Sequence, residues 1–190
     1  LNEAYLEAAR QNGVEMFLET EVLSIEKQGN KVIGVETDAG FIACDTLINA
    51  AGSWAAQLSK MAKGIELTVY PVKGQIILSE RLPKVLKGCV STTDCYIAQK
   101  DNGEVLIGST TEEKGFDTTN TLPELKELVN GAVKCIPMLN DLNIKRCWAG
   151  LRPGTPDEFP ILGKMEGVEG YINACGHFRT GLNFFNFNLR

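Results

Sequence analysis

The chain has 190 residues, 44% of them hydrophobic, and a formal net charge of −5. That apolar share builds a core and excludes a disordered class, and 190 residues suit one large domain or parts of two. With a pI near 5.0 and no Lys/Arg cluster longer than a dipeptide, nucleic acid and anionic membrane surfaces are excluded as partners, which leaves a small metabolite.

Asn2 is placed to cap an opening helix, Tyr5, Leu6 and Ala9 carry its helical spacing, and Gly13 is its stop. Leu1 to Arg10 is an amphipathic helix and not a signal peptide, and no apolar run approaches the roughly 20 residues of a membrane span. A cytoplasmic protein is expected. From Val14 the sequence VEMFLETEVLSIEKQGNKVIGVETDAGFIACDTLINAAG alternates apolar and polar residues around Gly29-Asn30 and Ala39-Gly40. That is the pattern of an antiparallel meander. SWAAQLSKMAKG then predicts a short helix from Ser53 to Gly64, directly after the apolar strand LINAAG.

Strands return with LTVYPV, GQIILSE, DCYIAQK and EVLIGST. The last two are joined by Asp101-Asn102-Gly103, a hairpin signal because Asn-Gly accepts positive φ. Thr121 and Glu124 have the spacing of a capping box opening a helix to about Ile136, where Pro137 stops it. NIKRCWAGLRPGTPDEFPILG gives a strand and a Pro/Gly-rich stretch, and GVEGYINACGHFRTG a final strand and turn. There is no repeat and no low-complexity linker. The chain opens inside a helix and stops at Arg190 as a new helical run begins, as a piece of a longer protein would.

Six cysteines (Cys44, Cys89, Cys95, Cys135, Cys147, Cys175) stand without a CxxC pair, and His177 is the single histidine. Metal-ligand spacing is absent, and buried free thiols are expected. There is no G-x-G-x-x-G, and the one G-x-x-x-x-G, Gly176 to Gly181, is followed by Leu-Asn where a P-loop needs Lys-Ser/Thr. A hydrolase triad has neither G-x-S-x-G nor a histidine to spare. Asp157-Glu158, the most loop-like acidic pair, reads as solvated.

LINAAGSW, PVKGQ, CYIAQKDNGEVLIGST, WAGLRPGTPDEFPILG and ACGHFRTG remain. In this order and spacing they resemble the glycine oxidase and D-amino-acid oxidase family of FAD-dependent oxidoreductases, nearest its glycine-oxidase-like branch, over nearly the whole chain. The resemblance implies an α+β fold with an antiparallel substrate-binding sheet, flanking helices, and parts of the FAD-binding domain. It implies a division into 1–66 (FAD side), 67–148 (substrate side) and 149–190 (return to the FAD side).

Arg152, held in a stiff Leu-Arg-Pro-Gly frame, suits a bidentate carboxylate clamp; pairing with Asp157, or plain exposure, is the alternative. The resemblance assigns the Tyr96 hydroxyl to the same carboxylate, where the residue alone reads as a half-buried strand aromatic. It sets Gly176, His177, Phe178, Arg179, Thr180, Gly181 and Leu182 beside the flavin ring, with Arg179 and backbone amides facing the negative charge of reduced flavin; for His177 a structural imidazole is equally open. Ala51 and Gly52 match a turn near the cofactor, and Val22 the position that meets adenine, though packing would explain all three.

The implied reaction is hydride transfer from a small amino acid or amine (glycine, sarcosine, a D-amino acid or proline) to flavin, with hydrolysis of the imine and reoxidation by oxygen or another acceptor. Orientation suffices, so no protein acid or base is assigned. Related sarcosine oxidases attach FAD to a cysteine before TPDE; here that position is Gly150, with Cys147 three residues away, so noncovalent FAD is expected. The family's pyrophosphate-binding unit belongs before Leu1. This chain is therefore expected to be the carboxyl-side portion, binding FAD weakly or not at all without that N-terminal segment, and able to form an oligomer. The tail NFFNFNLR departs from the family pattern. A non-catalytic metabolite-binding or subunit-interaction module is the alternative function.

Overall fold

A computed structural model describes residues 2–181. The fold is α+β, with three sheets and three α-helices among the described residues. Helix α1 (Asn2–Gln11) buries none of its side chains, and Gly13, at φ +80°, ends it. Asn2 is the first helical residue and not the cap. The alternating segment folds as expected into the meander β1 (Val22–Gln28), β2 (Lys31–Thr37) and β3 (Gly40–Ala43), antiparallel in sequence order. Its inward set, Ile25, Val32 and Val35, packs with Ala62, Met165, Val168 and Tyr171 as one core.

Strand β4 (Leu47–Asn49) leads through a 3-10 turn, Gly52–Trp54, into α2 (Ala55–Met61). The chain then crosses to the largest sheet, whose spine is β5 (Tyr70–Arg81). The sequence reads as two strands here, LTVYPV and GQIILSE, but Gly74 does not interrupt the ladder, because β5 pairs residue by residue with β9 (Ile144–Gly154) straight through it. With β6 (Val90–Ser91), β7 (Tyr96–Gln99) and β8 (Glu104–Gly108) the sheet order is β6-β7-β8-β5-β9, antiparallel throughout. Gly103, at φ +92°, turns the β7–β8 hairpin as the Asn-Gly signal requires.

Helix α3 (Leu122–Cys135) covers this sheet, setting Leu128 and Ala132 on Ile77, Ile97, Val105 and Ile107. The expected capping box does not form. The Thr121 hydroxyl bonds the Glu124 carboxylate, and the Thr121 N–H goes to Gln75 Oε1 at 2.9 Å, so a buried β5 side chain takes the donor that Glu124 would have reached. Past Pro137, a 3-10 turn (Pro137–Asp141) leads into β9. The last strands, β10 (Ile161–Lys164) and β11 (Tyr171–Cys175), complete a sheet in the order β10-β11-β4, with β11 parallel to β4.

All six cysteines are free thiols. Cys95 and Cys175 are buried as expected, whereas Cys89 and Cys135 are exposed, the latter at the solvent end of α3. No His/Cys/Asp/Glu group among the described residues could hold a metal, and no described helix is long and apolar enough to cross a membrane.

Candidate active site

Two strand glycines make the floor of the site, Gly74 in the middle of β5 and Gly108 at the end of β8. At Gly74 on β5 a Cβ would lie 2.6 Å from Arg152 Cζ, so the guanidinium lies directly on the strand backbone. At Gly108 on β8 a Cβ would lie 2.9 Å from the Tyr96 hydroxyl oxygen. Glycine inside a strand pattern marks such close approach, and this was the available signal for two positions that motif reading passed over.

Arg152 rises from β9 opposite Val72. Its Nη1 donates to the Thr110 carbonyl at 3.3 Å and its Nη2 to the Ser109 hydroxyl. Among the described residues it has no ion-pair partner. Asp157, the alternative partner, spends its carboxylate on the Phe159 N–H at 3.1 Å, within its own turn. Burial, then the neighbouring Arg179, lowers the Arg152 pKa, so the cation is left short of negative charge. Arg179, expected beside the flavin, donates from Nη2 to the Thr111 hydroxyl at 3.0 Å and stacks 5.2 Å over the Phe178 ring. Both guanidiniums act on Tyr96, whose pKa burial nevertheless raises. Its hydroxyl stays protonated at neutral pH and is available as a donor.

Tyr96, Gly108, Ser109, Thr111 and Arg179 line a polar hollow of about 160 Å³ with the β6–β7 turn. This is smaller than the roughly 300–1,000 Å³ of a drug-sized pocket and suits a small metabolite. A larger hollow, about 520 Å³ between Lys31, Asp45, Lys164 and Glu169, shares none of these residues. It opens at the amino ends of β4 and β11, and in open α/β sheets ligands sit beyond the carboxyl ends.

The carboxyl ends of those same strands carry the remaining expected residues. Asn49 pairs with Asn173, so the Ala51-Gly52 turn and the Gly176 loop emerge side by side. Asn49 shapes the first turn, accepting the Ala51 N–H at 3.3 Å and donating to the Ala55 carbonyl at 2.9 Å. Gly52 takes φ +55° with open space where a Cβ would be. Ser53 Oγ and Asn173 Oδ1 are buried without a hydrogen-bond partner among the described residues. Buried polar atoms are almost always paired, so this end of the sheet is built to meet a polar group. It fits a cofactor such as FAD.

In the second loop, Gly176 at φ +72° approaches Thr155 too closely for a Cβ, and Phe178 has φ +46°. The Phe178 N–H goes to the Pro153 carbonyl at 3.0 Å and the Thr180 N–H to the His177 carbonyl at 2.8 Å. Those two amides hold the turn itself and are engaged within the chain. His177 is half-buried and its pKa is lowered by burial, so it is neutral at physiological pH. Val22 lies on β1 and packs against the meander core. Leu182 lies outside the described residues.

A charged cluster around the buried Lys73 was not read from the sequence. The Lys73 side chain, fully enclosed, holds Asp117 at 2.7 Å and Glu112 at 3.8 Å. Gln75 donates to Glu112 at 3.0 Å and to Thr121 at 3.1 Å. Lys73 stands in PVKGQ and Glu112 and Asp117 follow EVLIGST, far apart in sequence, and only the fold brings them together.

Residues 1–185 match the family model described as FAD dependent oxidoreductase (DAO). The chain is 66% identical over 183 residues to hydrogen cyanide synthase subunit HcnC of Pseudomonas protegens, covering 96% of this chain and 44% of that protein. It is 39% identical over 169 residues to glycine oxidase of Pseudomonas aeruginosa, covering 89% of this chain and 46% of the relative. The crystal structure of glycine oxidase from Geobacillus kaustophilus superposes with a TM-score of 0.88 at 30% identity, covering 95% of this chain and 48% of the other. The chain thus spans a little under half the length of each of these three relatives. It belongs to the DAO family of FAD-dependent oxidoreductases.

Proposed function

We propose that this chain supplies the substrate-binding sheet and part of the flavin-side wall of an enzyme that oxidises a small amino acid, with glycine as the leading substrate. The observation that carries the reading is Arg152, a half-buried guanidinium flat on Gly74 with no carboxylate partner among the described residues. Such a group invites a substrate carboxylate, which would gain a charge-assisted bond of about 1.5–3 kcal/mol. Tyr96 donates its hydroxyl to the same carboxylate, and Arg179 adds a second positive charge at the mouth. The relatives named glycine oxidase and hydrogen cyanide synthase subunit support an amino acid of glycine's size.

FAD, when bound, supplies the hydride acceptor. Ala51, Gly52 and the Gly176–Gly181 loop would hold it at the carboxyl ends of β4 and β11, with Ser53 and Asn173 offering unpaired buried oxygens. The chain's own contribution is to grip the carboxylate and so orient the substrate Cα–H; no acid or base is assigned. The five-stranded sheet, which begins at Tyr70, supports a flavin-side part to residue 66 and a substrate-side part from 67; the proposed return at 149 falls inside β9, which stays paired with β5 to Gly154. That the 66%-identical relative is a synthase subunit supports a second reading in which the protein works inside a larger complex.

The test is a screen of amino acids and N-alkyl amino acids against the natural full-length protein, following both peroxide and reduction of an artificial electron acceptor. Turnover of glycine or a close analogue is expected. Turnover of amines lacking a carboxylate, with none of amino acids, would overturn the proposal.

A further inference from the structure

Resting on the carboxylate-clamp reading of Arg152, we propose that Glu112 is a positioning residue: the buried carboxylate that fixes the Ser109–Thr111 segment, and through it the two guanidiniums of the site. Three consecutive residues of that segment accept from arginines. Ser109 Oγ and Thr110 O hold Arg152, and Thr111 Oγ holds Arg179 at 3.0 Å. A segment that sets the place of two cations must itself be immobile, or binding spends its free energy on ordering it.

The locking is done from below. Thr110 Oγ donates to Glu112 Oε1 and accepts the Gln75 N–H at 2.8 Å, so the residue whose carbonyl holds Arg152 is fixed at its side chain too. Glu112 is bonded to β5 through its backbone, its N–H to Lys73 O at 3.0 Å and its carbonyl from Lys73 N–H at 2.9 Å. Its carboxylate, only 9% exposed, also accepts from Gln75 Nε2 at 3.0 Å and lies 3.8 Å from the Lys73 ammonium. A charge this deep is tolerated because every neighbour is a donor or a cation. Glu112 touches neither the hollow nor Arg152; its influence runs through Thr110.

Substitution Glu112→Gln keeps the shape but turns one acceptor oxygen into a donor among donors. Calorimetric titration of the natural full-length holoprotein with acetate measures the clamp directly. We expect Glu112→Gln to weaken acetate about tenfold in the native background and less than twofold in an Arg152→Ala/Arg179→Ala background, because a residue acting through the two guanidiniums loses its effect once both are gone. Tenfold weakening in both backgrounds, or less than twofold in the native one, would overturn the inference. Should Glu112→Gln fail to fold, Thr110→Val replaces it in the same cycle with the same two outcomes. If Arg152→Ala alone leaves acetate affinity intact, the clamp itself is refuted, a result separable from failure of Glu112.

Discussion

Replacing Gly74 by alanine tests the floor of the site without touching a polar atom. The new Cβ would meet both Arg152 Nη atoms and lie 2.6 Å from Cζ, where ordinary contact begins at 3.4 Å, so the guanidinium must withdraw by at least about 0.8 Å. It cannot do so and keep both Ser109 and Thr110 as acceptors while facing the substrate squarely. Losing one charge-assisted bond, about 1.5–3 kcal/mol, raises KM for the amino acid roughly 10- to 150-fold. Folding should not suffer, because alanine gains about 0.5–1 kcal/mol over glycine within a strand and the obstructed atoms end a flexible side chain. Steady-state kinetics and a thermal melt on the full-length protein measure both halves. An unchanged KM, or a KM rise accompanied by a collapse in Tm, would refute the reasoning.

Glu104, buried beneath Lys145 and Asn102, has its carboxyl lowered to about 2 by the Lys145 hydrogen bond first and the Asn102 hydrogen bond second. Its folded pKa lies below the ordinary 4.5, so its contribution is whole above that pH and is lost as pH falls towards 2. Glu104→Gln should therefore be clearly less stable than the native protein at pH 6 and close to it at pH 2.5, measured by urea unfolding; an equal gap at both pH values would contradict this. Leu128→Ala, at the centre of the α3–sheet core, should destabilise by about 2–5 kcal/mol without changing KM; a denaturation midpoint within error of native would mean that α3 does not cover this core.

The elements legible in the sequence were those with local causes. Alternation fixed the meander because Ile25, Val32 and Val35 share one buried core, and Asn102-Gly103 announced the hairpin. Strand β5 was misread as two because glycine usually weakens a strand, and only the packing of Arg152 explains Gly74. The motifs around Arg152 and Tyr96 single them out as candidates, and each lies close against a strand glycine, Gly74 and Gly108. The cluster of Lys73, Glu112 and Asp117 was not, because its members are 44 residues apart at the extremes and each is ordinary where it stands. Thr121 and Glu124 had the spacing of a capping box, yet Gln75, far away in sequence, outcompeted the local bond.

The central claim is that Arg152 holds the substrate carboxylate, and the direct measurement compares acetate with acetamide as ligands of the native and Arg152→Ala full-length proteins. The native protein should prefer acetate strongly and the variant should lose that preference by roughly 10- to 150-fold, with acetamide binding scarcely altered. An Arg152→Ala protein that still prefers acetate to the native extent would contradict it.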